Sequence, residues 1–239
     1  MLKFLLLLNV FISLHSKADN IRVITEHLPP YQITENGQVI GGYSYLIMEE
    51  VLKRAKIQAT TEVMPWIRVY KLGLNEPNTI IYSITRSIER ESLFRWIGKL
   101  HQLEYNFFST KSNHNINIKT TKDALNYIVV SVRGSFEANS LLRKGFKIGE
   151  NLILVVDYNT AWKMLQMGRA DLTYGNAPVF LGDDVENSLF KKQGDVVESF
   201  DLYVAANINT EEKAVDNLST AFQSVKNDPL FKELFKIHK

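Results

Sequence analysis

Thr79-Ile80-Ile81-Tyr82-Ser83-Ile84-Thr85-Arg86-Ser87-Ile88-Glu89-Arg90 is an apolar run that passes into spaced hydroxyls and closes on an arginine. The order predicts a strand over Thr79 to Tyr82, a hydroxyl-rich loop at its end and a turn carrying Arg90. Ser83, Thr85, the loop-end amides and the Arg90 guanidinium would then converge on one point. Such a point suits a carboxylate, which a guanidinium grips with two parallel hydrogen bonds. Glu91 to Trp96 reads as an amphipathic turn beyond it.

Upstream, Ile21 to Thr25 alternates as a strand and leads into Glu26-His27-Leu28-Pro29-Pro30-Tyr31, a loop that two prolines stiffen around Tyr31. Ser44 is the expected N-cap of a helix over Tyr45 to Arg54, with Ile47, Val51 and Ala55 inward. Thr60 to Val63 predicts a second strand. Pro65 opens a helix with Trp66, Val69, Tyr70 and Leu72 at helical spacing. Downstream, Leu103 to Ser109, Ile128 to Val132, Leu152 to Val156 and Asp171 to Tyr174 predict strands. Helices are expected from Thr121, over Phe136 to Arg143, and from a cap at Asn159 or Thr160 to near Gly168. Arg133-Gly134-Ser135 would present free amides and the positive end of a helix to an anion. Phe200 to Ala206 is apolar again. Asn209-x-x-Glu212 predicts a capping box for a last helix with Ala214, Leu218, Phe222 and Val225 on one face. Strand and helix alternate throughout, the pattern of an α/β fold with largely parallel pairing.

Composition narrows the function. Lys3, the apolar Phe4 to Leu14 and Ser16-Lys17-Ala18 read as a secretory signal peptide over residues 1–18, with the mature chain starting at Asp19. The sequence has no cysteine, so disulfides, thiolate metal sites and a lipoprotein anchor are excluded. Losing Lys3 and Lys17 from a formal net charge of +2 leaves the mature chain near zero. A nucleic-acid or membrane-surface partner calls for a basic excess, so neither is expected. With 45% apolar residues the chain is expected to be globular. The histidines at 27, 101, 114 and 238 lack metal-ligand spacing, and no phosphate-binding or dinucleotide motif is present, so no cofactor is expected.

Pro30-Tyr31, Gly42-Tyr43, Pro65-Trp66, Ser83-x-Thr85-x-Ser87-x-x-Arg90, Arg133-Gly134-Ser135 and Gly168-Arg169-Ala170-Asp171 follow one another in an order that resembles the bacterial extracellular solute-binding proteins of family 3. The resemblance spans nearly the whole mature chain. It implies an α/β, two-lobed periplasmic binding protein type II fold with two crossing hinge strands and a ligand in the cleft. Lobe one would hold residues 19–107 and 200–239, and lobe two residues 108–199. By the same resemblance Arg90 clamps a ligand carboxylate, Ser83 and Thr85 assist it, Trp66 stacks on the ligand and Ser135 meets the carboxylate from lobe two. Tyr31, Asn176 and Arg133 complete the expected binding set. Asn176 stands where the family usually has the acid that receives the ligand's ammonium, and Ser44 stands where it usually has an aspartate. Arg68, Arg86 and Arg133 would favour a more anionic ligand if they faced the cleft.

The expected function is capture of a small anionic or zwitterionic solute by a periplasmic monomer, for delivery to an inner-membrane ABC permease. A sensor that reports to a membrane receptor would use the same cleft. An enzyme on this scaffold, of the periplasmic dehydratase kind, would need a cleft-facing general acid, with Glu26 and His27 as the candidates.

Overall fold

A computed structural model describes residues 21–177, 179 and 188–236. The expected leader at 1–18 lies outside them. β1 (Arg22–Thr25) is followed by a hairpin, β2 (Ile33–Glu35) and β3 (Gln38–Gly41), and by helix α1 (Tyr43–Ala55). Next come β4 (Thr61–Val63), α2 (Trp66–Asn75), β5 (Thr79–Thr85), a 3-10 turn over Ile88–Arg90 and β6 (Phe94–Thr110). The second lobe contributes α3 (Thr121–Ala124), β7 (Val129–Val132), α4 (Phe136–Arg143), β8 (Leu152–Val155), α5 (Tyr158–Gln166) and β9 (Leu172–Asn176). β10 (Phe190–Asn207) and α6 (Glu212–Lys226) bring the chain back to the first.

Eight strands share one sheet in the order β4-β1-β5-β10-β6-β9-β7-β8. β4-β1-β5 is parallel, as is β9-β7-β8, with helices as the crossovers that parallel strands require. β5 is buried along its whole length, as a strand covered on both faces must be. β6 and β10 lie between the two parallel sets, antiparallel to each other from the Asn207–Phe94 pair to the Phe190–Thr110 pair. Both lobes are thus built on the same two long strands.

The long strands were only partly legible. The expected turn over Glu91 to Trp96 gives way to strand at Phe94, and β10 begins ten residues before Phe200. Gly98 hides the signal, because glycine weakens a strand reading. Its reason is packing: a Cβ there would sit 2.2 Å from the ring of Phe222, which fills the space from α6.

Three expected caps are corrected. Ser44 lies inside α1, with its hydroxyl buried and unpartnered among the described residues. The helix start is satisfied instead from the Pro30–Tyr31 loop, whose Tyr31 carbonyl accepts from the Ser44 and Tyr45 amides at 2.9 and 3.2 Å. Gly42 makes this approach possible: at φ 112 a Cβ would meet Tyr31 O at 2.5 Å. α5 is capped by Asp157, which accepts from Thr160 N at 2.7 Å, and not by Asn159 or Thr160. Asn209 makes no capping box, since α6 starts after Glu211 without a side-chain cap and buries Val215 in place of Ala214.

Candidate ligand-binding site

A cavity lies where the two lobes meet, between the ends of β5 and β9 and the start of α4. From lobe one it is lined by Glu26, Leu28, Trp66, Ser83, Thr85 and Arg90. From lobe two come Ser135, Phe136, Glu137, Tyr158 and Asn176, while Leu103, Tyr105 and Leu202 of the crossing strands form the floor. Its volume of about 20 Å³ is room for about one water.

Arg90 is held by its surroundings. It is 4% exposed, its Nη1 donates to Thr85 O at 3.0 Å, and the guanidinium lies 4.9 Å from the Tyr70 ring centroid and 5.5 Å from that of Trp66. Nη2 is buried with no hydrogen-bond partner among the described residues. Burial works against its charge, and Tyr70 and Glu137 favour it. A buried cation with a spare donor calls for an acceptor.

Ser83 owes its position to a bulge. The ladder pairs Ile84 with Tyr203 and Tyr82 with Val204, so Ser83 is the extra residue, at φ 61. A bulge re-aims a side chain at a sheet's functional end, and left-handed backbone at a non-glycine marks stored strain. Ser83 Oγ donates to Gln32 Oε1 at 2.8 Å, and Thr85 Oγ1 lies 3.1 Å from the Tyr105 hydroxyl. Ser135 caps α4, accepting from Ala138 N at 3.0 Å, and so leaves the helix start facing the cavity.

Polar contacts away from the crossing strands bridge the lobes. Trp66 Nε1 donates to Gly134 O at 2.9 Å, Tyr31 OH donates to Asn176 Oδ1 at 3.3 Å, and Arg143 Nη1 lies 3.3 Å from Glu89 Oε1. Gly134 permits this approach, since a Cβ there would lie 2.6 Å from Ile67 Cδ1. Trp66→Phe keeps a ring over Arg90 and orphans the Gly134 carbonyl, a loss of about 1 kcal/mol from closure. It should show as a larger radius of gyration in solution scattering; an unchanged profile would remove Trp66 from the closing contacts.

Of the expected binding residues, Arg90, Ser83, Thr85, Trp66, Ser135 and Asn176 line one cavity. Tyr31 stands behind it, joining the lobes and packing 5.0 Å from the His101 ring centroid. Arg133 has an exposed side chain that does not line the cavity, and its backbone extends the β7–β8 ladder, Arg133 N donating to Val155 O at 2.8 Å. Arg68 is exposed as well, and Arg86 is paired with Glu91 between the rings of Trp96 and Tyr203. None of these three adds positive charge to the cavity lining.

Sequence reasoning missed Glu137 as a site residue. Glu26 and Glu137 are each 7% exposed and line the cavity with Arg90. Burial raises both carboxyls; Glu26 goes well above the usual range because Glu137 also repels its charge. Glu137 is held back by donors, among them Tyr158 OH at 3.0 Å, its own backbone and Ser135. An acid in a first helical turn reads as a partner for the helix dipole, which masks any other role. His27 lies outside the cavity lining, its Nδ1 accepting from Thr34 N at 3.1 Å. A larger hollow of about 220 Å³, lined by Phe107, Ile118 and Val197, contains no buried unpartnered polar side-chain atom among the described residues. Among those residues there is also no cluster of three metal-binding side chains and no helix long and apolar enough to cross a membrane.

No family model and no curated protein matches the sequence. Solved structures do match. The P235GK mutant of ArgBP from T. maritima superposes with a TM-score of 0.78 at 15% identity, over 90% of this chain and 93% of that one. The GluR0 ligand-binding core from Nostoc punctiforme, in complex with L-glutamate, gives 0.76 at 16% identity over 90% and 97%. A putative L-cystine ABC transporter protein from Listeria monocytogenes gives 0.76 at 24% identity over 90% and 93%. The chain has the two-lobed α/β fold of periplasmic binding proteins.

Proposed function

We propose that this chain is a divergent member of the family 3 solute-binding proteins. It is exported to the periplasm, where it captures a small carboxylate-bearing polar solute between its lobes for an inner-membrane ABC permease. The observation that carries this reading is the Arg90 guanidinium, buried at the inter-lobe cavity with Nη2 unpartnered among the described residues. The shared fold supports it, as does the kind of protein that has it: an ArgBP, a GluR0 ligand-binding core in complex with L-glutamate and a putative L-cystine ABC transporter protein.

In this reading residues 19–107 and 200–239 form lobe one and residues 108–199 lobe two. A cavity of about 20 Å³ admits no amino acid, so a ligand enters when the lobes part about β6 and β10. Closure then brings α4 and Asn176 onto the ligand, with Trp66 and Tyr31 as the latches. Thermal melting against α-amino acids, dicarboxylates, short peptides and aromatic acids tests the reading. A true ligand at about 100 times its Kd adds about 2.7 kcal/mol, an upward shift of roughly 5–10 °C. No shift with any carboxylate would overturn the proposal.

A further inference from the structure

The cavity lining holds two carboxyl side chains and one guanidinium. Arg90 enters from lobe one, Glu137 from the first turn of α4 in lobe two, and Glu26 from the loop after β1. Asn176, at the end of β9, is neutral: its Oδ1 accepts from Tyr31 OH and from Val179 N at 3.4 Å. A ligand cation therefore finds no carboxylate at Asn176, yet it meets two on other elements.

The two acids are unequal. Arg90 favours the charge of both, but Glu137 also accepts from Tyr158 OH at 3.0 Å, whereas Glu26 has Glu137 and Asp157 as negative neighbours. A buried pair of carboxyls beside one guanidinium is most stable with a single charge, and the member with more hydrogen-bond donors keeps it. We propose that Glu137 is the ionised acid of the site: without a direct ion pair it offsets the Arg90 charge across the cavity when the lobes close alone, and it is the ammonium acceptor when a ligand lies between them. Glu26 remains a neutral carboxylic acid that donates or accepts a hydrogen bond.

This inference rests on the proposed carboxylate-binding role of Arg90 and assigns the other end of the ligand. A zwitterion separates Arg90 from Glu137 and pairs with each, so no buried charge is left alone. A monoanion pairs with Arg90 but leaves Glu137 without a cation. Glu137 thereby selects zwitterions over simple acids, a specificity that neither Ser83, Thr85 nor Arg90 provides.

The test compares glycine with glycolate, L-alanine with L-lactate and L-phenylalanine with L-phenyllactate, by thermal melting and calorimetry on the full mature chain. Each pair shares its carboxylate and exchanges an ammonium for a hydroxyl. In the wild type the amino acid of any binding pair should be favoured roughly 10- to 150-fold, the range of a hydrogen bond to a charged group. Glu137→Gln should reverse that order, weakening the amino acid and strengthening the hydroxy acid, because the cavity then lacks the negative charge that opposes a monoanion. Glu137→Asp should keep the wild-type order. Hydroxy acids that bind the wild type as tightly as amino acids overturn the role of Glu137 while leaving that of Arg90 intact, and this arm needs no variant to fold. If no member of any pair binds, while other carboxylates do, the zwitterion selection is overturned. If no carboxylate of any kind binds, the role of Arg90 falls and this inference with it.

Discussion

Arg90→Ala should weaken ligand binding by about 2–5 kcal/mol, roughly 30- to 4,000-fold. The size follows from burial. Arg90 is 4% exposed and its Nη2 lacks a partner among the described residues, so a carboxylate arriving there is desolvated and paired at once. Truncation leaves that carboxylate buried without a counter-charge, beside Glu26 and Glu137. Arg90→Lys should recover only part of the loss, because a lysine keeps the charge and not the two-pronged geometry. Calorimetry with the tightest carboxylate ligand measures both variants. An alanine variant that binds as the wild type does would place the anchor elsewhere.

Phe222→Ala should cost about 3–5 kcal/mol of folding stability. Phe222 is fully buried, its ring fills the place left by the missing Cβ of Gly98, and it meets Phe235 edge-on at 5.8 Å. Its removal opens a void between α6 and β6, the strand on which both lobes are built. Urea denaturation reads the loss directly, and thermal melting should fall by roughly 6–20 °C. Ligand affinity per folded molecule should stay unchanged, since Phe222 lies outside the cavity lining. A loss below about 1 kcal/mol would mean that α6 repacks and does not brace the hinge strand.

The two predictions concern parts of the chain that were unequally legible in sequence. The start of β5 and its arginine turn could be read because an apolar run ends in hydroxyls within a few residues, but the strand continues through Thr85 where a loop is expected from Ser83, and the structure brings Ser83, Thr85 and Arg90 to one cavity. The bulge that places Ser83 leaves no trace in residue type: serine at φ 61 is dictated by the register against Tyr203 and Val204. The hinge strands were cut short for the same kind of reason, as Gly98 signals a break until Phe222 is seen filling its side. Helix α1 was placed well, but its start is satisfied by a carbonyl of the Tyr31 loop, a partner distant enough in sequence to escape any local capping rule.

The site's charge was the least legible part. Asn176 and Ser44 suggest a pocket without the family's usual acids, and Arg68, Arg86 and Arg133 would add cations only if they faced the cleft. The three arginines lie outside the cavity lining, and Glu26 and Glu137 enter it from segments 111 residues apart. Only the meeting of the lobes puts those two carboxyls beside Arg90, so no spacing rule within one element could announce them.

The central claim is that Arg90 waits between the lobes for a carboxylate. Calorimetry of a solute and its primary carboxamide, chosen from the acid that most raises the melting temperature, tests it most directly. Acid and amide have nearly the same shape and differ in charge. The account predicts that the acid binds and that the amide is weaker by at least about 2 kcal/mol, roughly 30-fold; equal affinity for the two would contradict it.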